Sequence, residues 1–414
     1  MEFSSAEERP VQQVDMNIFK FVALSSNLAP AADRKARDFL ATSGRPHEQS
    51  NRPSKRCPRA ALFDCEVDLS IQILFVNPSL VCRMDFPISL HHQWGGKRYN
   101  AYSRVLQDVF AARVYKIGLR MDFTCPNRDG KVAVGGCIYC NNASHTPQDY
   151  RPRLSVKAQL ERGAAAVQKR HRAERFIAYF QSYTNTYDSA SRLERLYREA
   201  LDFPGVVGLS ISTRPDCLPD DILDLIGDLA RQTYLWLEIG LESMHDRTLR
   251  WANRGHGLRE FVDAVERCKK RNLRVCTHLI LGFPGESQRD ILATPALLNR
   301  LEIDGVKLHN LHVIRNTALE KFYEAAHFTL LTRAEYASLV VDFLELLRTE
   351  TVIQRLTGET YRAITVAPAW SIDKMSVHNA INKELEQRGS WQGKHGPAER
   401  QIMSGSEYSV GART

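Results

Sequence analysis

A repeating unit of about thirty residues, the length of a β-strand with its crossover helix, is the feature that most constrains this fold. Each unit has an apolar run rich in β-branched and aromatic residues, followed by an amphipathic helical stretch. We therefore predict an α/β fold in which right-handed crossovers join parallel strands into an open barrel of six units. The apolar runs begin near residues 114, 175, 206, 234, 274 and 305.

Three cysteines lie close together in the loop that follows the first apolar run. Cys125, Cys137 and Cys140 fall within residues 122–140, the Gly-rich stretch DFTCPNRDGKVAVGGCIYC. Thiolates are soft ligands, and three in one loop suit an iron–sulfur cluster or a zinc ion. A cluster of four irons held by three thiolates keeps one iron open to a small molecule. A zinc ion would need a fourth ligand, and His145, beyond Cys140, has a plausible spacing.

The cysteine spacing has a counterpart in a known family. Cys125-x11-Cys137-x2-Cys140, with the aromatic Tyr139 between the last two, resembles the cluster motif of radical SAM enzymes. The words TCPNRDG and GGCIYCNN resemble the YhcC-like bacterial branch, which is similar to the radical SAM domain of the elongator catalytic subunit. The resemblance runs from about residue 99 to about residue 381. It implies a partial (β/α)6 radical SAM barrel, a 4Fe-4S cluster on the three cysteines, and reductive cleavage of S-adenosylmethionine (SAM) to a 5′-deoxyadenosyl radical.

The resemblance also implies where SAM binds. Parallel α/β folds collect their ligands at the carboxyl ends of the strands. Tyr139 would present its aromatic face to the adenine. After the second strand, many radical SAM enzymes have a GGE-like run, whereas this chain departs from the pattern and offers Gln181 and Thr184. A second departure is Met121-Asp122, where the family more often has a small residue and glycine.

The next three strand ends supply the remaining expected SAM contacts. Ser212 and Arg214 belong to the word STRPD, which is similar to the TRPD of the elongator-like branch. Arg214 can pair with the methionine carboxylate through a bidentate fork, and an ion pair with Asp216 is the structural alternative. Glu242 is expected to bind the ribose or the amino group. Gly282 allows close approach of an adenine, although a plain strand-to-helix turn explains it as well.

Other polar residues near the strand ends are also candidates. Alternation with period two places Glu238 on the inner face of the fourth strand, where a carboxylate needs a partner. We expect Glu238 to hold a substrate or Arg214. His256, in the following word NRGH, is expected as an exposed loop histidine, with a role in binding as the alternative. Trp370 and Lys374 match positions of the YhcC-like branch and either roof the active site or complete the core.

The two ends of the chain differ from its middle. We predict that residues 1–90 form a poorly ordered basic extension, since residues 31–60 hold eight basic and three acidic residues with scattered Pro and Ser. An RNA-binding arm is the alternative. Residues 99–330 form the predicted barrel and residues 331–383 a closing helix and strand. Residues 384–414, rich in Gly, Ser and Gln, are predicted to be a disordered tail.

Composition bears on the partners and the compartment. The formal net charge of +8 is compatible with an anionic partner such as RNA, and kinship with the elongator branch makes a tRNA base the substrate hypothesis. The resemblance also implies a one-electron reductant such as a flavodoxin or ferredoxin. Nine cysteines and an acidic N-terminus without a signal-peptide pattern predict reduced thiols and a cytoplasmic location. The most apolar early run is too short to span a membrane, so no membrane partner is expected.

Two other classes of protein stay open. A non-catalytic nucleic-acid-binding module, stapled by zinc or by a cluster, would have the same cysteines without SAM cleavage. An electron-transfer iron–sulfur protein would need a fourth thiolate, and the sequence near the motif has none.

Overall fold

One parallel sheet organises the computed structural model, which describes residues 87–141, 154–325 and 327–396. Seven strands lie side by side in it, and its first and last strands form the two edges, so the barrel stays open. A separate antiparallel pair of short strands packs beyond the sheet. The sheet contains β1 (Val114–Leu119), β2 (Arg175–Phe180), β3 (Val206–Thr213), β4 (Tyr234–Glu242), β5 (Val275–Leu281), β6 (Gly305–Asn310) and β8 (Val352–Arg355), and the pair is β7 (Val313–Ile314) with β9 (Thr365–Ala367).

The predicted α/β barrel is confirmed, with one strand added. All six predicted strands are present, and each starts within one residue of its predicted position. The seventh strand, β8, extends the sheet beside β6 and was not predicted. Its four residues, VIQR, are too few to show a period, and its place depends on pairing with β6 across the sheet.

Helices connect the strands and cover the outer face of the sheet. Ser155, Ser287 and Thr332 each cap a helix by accepting a hydrogen bond from the backbone N–H three residues later. None of the helices in the described part is long and apolar enough to cross a membrane. They are α1 (Ile88–Gln93), α2 (Tyr102–Phe110), α3 (Val156–His171), α4 (Ala190–Leu201), α5 (Asp220–Ala230), α6 (Asp246–Trp251), α7 (Leu258–Lys270), α8 (Gln288–Leu292), α9 (Thr294–Arg300), α10 (Ala318–Glu324), α11 (Arg333–Glu345) and α12 (Lys374–Gln387).

The strands separate an outer core from the barrel interior. Along β4, Leu237 and Ile239 belong to the large core formed with the helices, whereas Trp236 faces the other side. The amino-terminal end of the barrel is closed by a small apolar plug, in which the Trp236 ring meets Tyr102 edge-on at 5.9 Å. This plug leaves the carboxyl ends of the strands as the open end. Its buried members are Tyr102, Leu106, Ile177, Trp236, Cys276 and Val352.

The carboxyl-terminal boundary differs from the prediction. Helix α12 continues to Gln387, and Gln392 beyond it is fully buried, with its side chain donating to the carbonyls of Arg348 (2.6 Å) and Thr351 (2.8 Å). The prediction of disorder is therefore wrong for residues 384–396, because polar side chains bonded to backbone carbonyls order a segment that lacks an apolar pattern.

The predicted amino-terminal extension falls almost entirely on residues 1–86, which lie outside the described residues, as do residues 397–414.

Candidate functional site

The cysteine loop, residues 122–140, begins directly after β1 and is folded by its own backbone. The carbonyl of Cys125 accepts hydrogen bonds from the N–H groups of Arg128 (2.8 Å) and Asp129 (3.1 Å). The N–H of Gly136 donates to the carbonyl of Asn127 at 2.8 Å. The chain therefore turns back on itself, and the first thiol returns to the neighbourhood of the other two.

A second loop, residues 253–256, holds the cysteine loop in place. The side chain of Asn253 donates to the carbonyl of Gly136 (2.8 Å), and Asn127 donates to the carbonyl of Asn253 (2.5 Å). Gly255 has φ +76°, and a Cβ there would lie 2.4 Å from Oδ1 of Asn127. Only glycine fits at this position, since a side chain would separate the two loops.

The three thiols line one cavity at the open end of the barrel, with a volume of about 190 Å³. We call it the central cavity. Most of the residues predicted to bind SAM share its wall: Tyr139, Gln181, Thr184, Ser212, Arg214 and Glu242. Gly282 does not, because it lines a neighbouring cleft in which a Cβ would lie 3.0 Å from the side chain of Leu331. The cavity thus brings together the three cysteines and six of the seven expected SAM contacts, whose roles as ligands stay predictions.

The chemistry of the thiols fits a cluster better than a single ion. Among the residues that the structure describes, no three Cys, His, Asp or Glu side chains converge on a point where one metal ion would sit. A cluster does not require such convergence, since each of its thiolates binds a different iron. Burial and then the neighbouring Cys137 raise the pKa of Cys140 to about 11, so metal binding at this thiol releases a proton. His145, the fourth ligand of the zinc alternative, lies outside the described residues.

The hydroxyl of Tyr139 also fits a cavity that holds a ligand. It is buried in the cavity wall and has no hydrogen-bond partner in the described part of the chain. Buried polar atoms are rarely left unpaired in folded proteins, and those that are commonly face a ligand or water. The ring of Tyr139 lies 5.9 Å from that of Phe283, which fixes the aromatic face at the cavity.

Arg254 is the main site residue that sequence reasoning missed. Its Nη1 lies 3.6 Å from Sγ of Cys137, while Nη2 donates to the carbonyl of Gly240 (3.0 Å) and pairs with Glu242 (3.3 Å). A Cβ on Gly240 would lie 2.5 Å from Nη2, so glycine makes room for the guanidinium. Arg254 belongs to the word NRGH, which drew attention to His256 instead.

His256 is buried rather than exposed, so the expectation of an exposed loop histidine is wrong. Burial, and next the charge of Arg254 and Arg214, lower the pKa of His256 to about 2, so it is neutral near pH 7. The loop folds inward because its neighbours Asn253 and Arg254 bond to the floor of the cysteine loop and to β4.

The contacts of Arg214 match the structural alternative. Its Nε and Nη2 donate to Asp216 (2.9 and 2.8 Å), and its Nη1 donates to the carbonyl of Arg254 (2.8 Å). The fork expected for the methionine carboxylate is therefore occupied by Asp216. Arg214 lines the cavity and positions the loop that carries Arg254.

Below the expected SAM contacts lies a charged layer, which we define as Lys116, Tyr179, Glu238, His278 and Lys307. Glu238 is fully buried. One of our two expectations was that it holds Arg214, and Arg214 is not among its partners. Burial alone would raise the pKa of Glu238, but Lys116 and Lys307 hold it well below its usual range. The carboxylate accepts hydrogen bonds from Lys116 (2.5 Å), Lys307, His278 (2.9 Å), Ser210 and Ser212 (3.2 Å).

Trp370 and Lys374 do not reach the central cavity. The Trp370 ring packs 5.4 Å from Tyr336, and its Nε1 donates to the carbonyl of Leu331 at 3.1 Å. Lys374 pairs with Glu359. Of the two interpretations of this segment, these contacts favour completion of the core over a roof for the site.

Comparison with known proteins agrees with this geometry. A model of the radical SAM superfamily matches residues 128–298, and one of the Radical_SAM C-terminal domain matches residues 303–387. The uncharacterized protein YtqA of Bacillus subtilis is 38% identical over 298 residues, which cover 72% of this chain and 92% of YtqA. Protein YhcC of Escherichia coli is 34% identical over 294 residues, covering 71% of this chain and 94% of YhcC.

A solved structure shares the fold. The archaeal Methanocaldococcus infernus Elp3 with an N-terminal deletion superposes with a TM-score of 0.51 at 17% identity, covering 67% of this chain and 64% of that one. The chain belongs to the radical SAM superfamily, within the family that includes YtqA and YhcC. This membership supports SAM-dependent radical chemistry in general terms.

Proposed function

We propose that the protein is a radical SAM enzyme that binds a 4Fe-4S cluster through Cys125, Cys137 and Cys140 and holds SAM and a substrate in the central cavity. The observation that carries the proposal is the shared wall: three thiols and six candidate SAM contacts line one cavity closed below by the charged layer and the apolar plug. A cluster so bound would supply the electron that cleaves SAM to methionine and a 5′-deoxyadenosyl radical.

The residues of the chain bind and orient in this proposal. Arg254 places its guanidinium 3.6 Å from the sulfur of Cys137 and so holds this side chain at the cavity wall. Glu242, held by Arg254, offers a carboxylate to the ribose or amino group of SAM. Tyr139 offers its ring to the adenine and its unpaired hydroxyl to a polar atom. Gln181 and Thr184 lie on the same wall.

We further propose a one-electron reductant such as a flavodoxin or ferredoxin, a tRNA base as substrate, and action in the cytoplasm. The net charge of +8 supports an anionic macromolecule, and one relative in this superfamily is the Elp3 whose fold the chain shares. Filter binding of unfractionated tRNA at rising salt tests the substrate class. Absence of binding at low salt would exclude tRNA as the substrate but would not contradict the proposed reaction class.

The experiment for the reaction class is anaerobic reconstitution with iron and sulfide, followed by reduction and an assay for 5′-deoxyadenosine. We expect Cys137→Ala to lose the cluster and at least about 100-fold of SAM cleavage, because two thiolates do not hold a four-iron cluster. The matched control is Cys217→Ala: burial raises the pKa of Cys217 to about 12, and this thiol does not line the central cavity. It should keep iron and activity.

Two outcomes would contradict the proposal. A colourless protein with one zinc and no SAM cleavage would favour the non-catalytic nucleic-acid-binding module instead. A stable cluster in Cys137→Ala would show that other residues hold the iron.

A further inference from the structure

One cationic side chain at the bottom of the central cavity makes no direct hydrogen bond or ion pair within the described part of the chain. Arg355, the last residue of β8, lines the cavity and lies beside Lys307 in the register of the sheet. Within the described ranges, no hydrogen bond or ion pair joins its guanidinium to another residue. Glu359, four residues further along the chain, pairs directly with Lys374, and the charges of both Arg355 and Lys374 lower its pKa, so two cations share this one carboxylate. A guanidinium in a concave site without a partner is a common receptor for carboxylate and phosphate groups.

The charged layer beneath Arg355 adds to the surplus of positive charge. Lys116 and Lys307 both pair with Glu238, which is the single carboxylate of the layer. His278 contributes no charge near pH 7, because burial lowers its pKa to about 4. Four cations, Lys116, Lys307, Arg355 and Lys374, therefore share two carboxylates, those of Glu238 and Glu359, so positive charge is in excess in this part of the protein. Charges of one sign in a low-dielectric cleft attract an anion of the other sign.

A second unpaired donor lies on the same side of the cavity. Asn310, at the end of β6, is almost fully buried and lines the cavity. Its Oδ1 accepts hydrogen bonds from Thr357 (3.1 Å) and from the N–H of Gly358 (3.2 Å), which fixes the orientation of the amide. Its Nδ2 has no partner among the described residues. Gly358 is three residues beyond Arg355, so the same short segment follows Arg355 and holds Asn310.

The other charged residues of the cavity wall are already engaged. Arg214 pairs with Asp216, Arg254 pairs with Glu242, and Arg128 donates to the carbonyl of Cys140 at 2.9 Å. SAM does not neutralise the surplus, since its sulfonium and ammonium outnumber its carboxylate. The unpaired donors thus lie apart from the expected SAM contacts, on the β6 and β8 side of the barrel.

We propose that Arg355 and Asn310, backed by the surplus charge of Lys116 and Lys307, bind an oxyanion of the substrate, a carboxylate or a phosphate. The proposal rests on the proposed function, because it assigns the substrate side of the same cavity. The arginine fork takes two oxygens of the group and the Asn310 amide takes one, so the anion is held at the bottom of the cavity while the rest of the substrate extends toward the SAM-binding wall.

The test measures anion binding to the purified full-length chain by the rise in thermal midpoint with acetate in one arm and inorganic phosphate in the other, at constant ionic strength. We expect the parent to bind either acetate or phosphate saturably. The anion that binds identifies the substrate group as a carboxylate or a phosphate. Arg355→Gln should weaken that binding at least about ten-fold, because it removes a charge-assisted pair of hydrogen bonds. Arg259→Gln, at an exposed position of α7, is the matched control and should bind like the parent.

Asn310→Asp provides a second variant if Arg355→Gln does not fold. It keeps the acceptor that Thr357 and Gly358 use, but replaces the unpaired N–H donors with a negative charge, so binding should again fall at least about ten-fold. Binding unchanged in both variants, or no saturable binding of either anion to the parent, would overturn the proposal.

Assay of SAM cleavage in the reconstituted parent separates the two ideas. Anion binding that depends on Arg355 in a protein that does not cleave SAM would retain the anion site and reject the proposed function. SAM cleavage without anion binding would retain the proposed function and reject the anion site.

Discussion

The charged layer lies next to the part of the cavity wall that carries Tyr139, Glu242 and Arg254, which we call the upper wall. The two regions differ in how completely their polar groups are paired. Glu238 accepts hydrogen bonds from five side chains. In the upper wall, the hydroxyl of Tyr139 and Nε of Arg254 are buried without a partner in the described part of the chain. The Glu238 carboxylate and these two atoms are all buried, so the difference between them lies in pairing and not in exposure.

This difference separates what stabilises the fold from what awaits a ligand. A buried charge that is fully paired needs nothing further, and removing one partner leaves the others uncompensated. A buried donor without a partner costs free energy until a ligand or water satisfies it. We therefore expect changes in the charged layer to act first on stability, and changes in the upper wall to act first on ligand binding.

The largest effect on stability should come from Glu238→Gln. The substitution keeps the shape but leaves Lys116 and Lys307 buried without their shared carboxylate, which should cost about 3–5 kcal/mol of unfolding free energy. Urea unfolding followed by circular dichroism measures it. Glu266→Gln, at an exposed position of α7, is the control and should change stability by less than about 0.5 kcal/mol. Similar midpoints for both variants would show that the layer is not a stabilising unit.

A smaller loss is expected from Arg254→Met at the upper wall. It leaves Glu242 without its ion-pair partner in a mostly buried position, which should cost about 3 kcal/mol. Because the cost comes from an uncompensated charge, Arg254→Met/Glu242→Gln should recover part of it. Urea midpoints of the single and double variants measure the difference. A double variant no more stable than Arg254→Met would locate the cost in the contacts of Arg254 with Gly240 and Cys137.

The smallest of these effects should appear as a pH dependence at His278. Burial lowers the folded pKa of His278 to about 4, below the unfolded value of about 6.5, so the unfolded state gains the proton first as pH falls. The stability is complete above pH 6.5 and is lost as the pH falls toward 4, by about 2 kcal/mol between pH 7.5 and pH 5. Urea unfolding at these two pH values should show that His278→Gln loses about 2 kcal/mol less stability than the parent does. His92→Gln, exposed in α1, should keep the slope of the parent.

The sequence was a good guide wherever the signal was local. Strand-like runs of eight to ten residues, repeated at the length of a β-strand and its crossover helix, predicted β1 to β6, which have six to nine residues. The cysteine spacing predicted three thiols in one loop, and the rule that ligands collect at strand ends brought six of seven candidate SAM contacts to one cavity. Gly282 lies apart from these six residues, because it lines a neighbouring cleft.

Pairings between distant segments could not be predicted from the sequence. The alternative partner for Arg214 was predictable because Asp216 is two residues away, whereas Lys116, Lys307 and Glu238 come from three strands. Each lysine stands in an apolar run, where period two alone does not say whether its face is wet or buried. The NRGH loop was noticed, but its inward turn depends on bonds to a loop more than a hundred residues earlier.

What the sequence by itself determined is the parallel barrel, its family and the loop with the three cysteines, because strand length, helical period and ligand spacing are written within short segments. What only the tertiary structure decided is which charges meet inside the barrel. Lys116, Glu238, Lys307 and Arg355 are brought together by the order of strands in the sheet, and the low dielectric there strengthens the interactions among their charges.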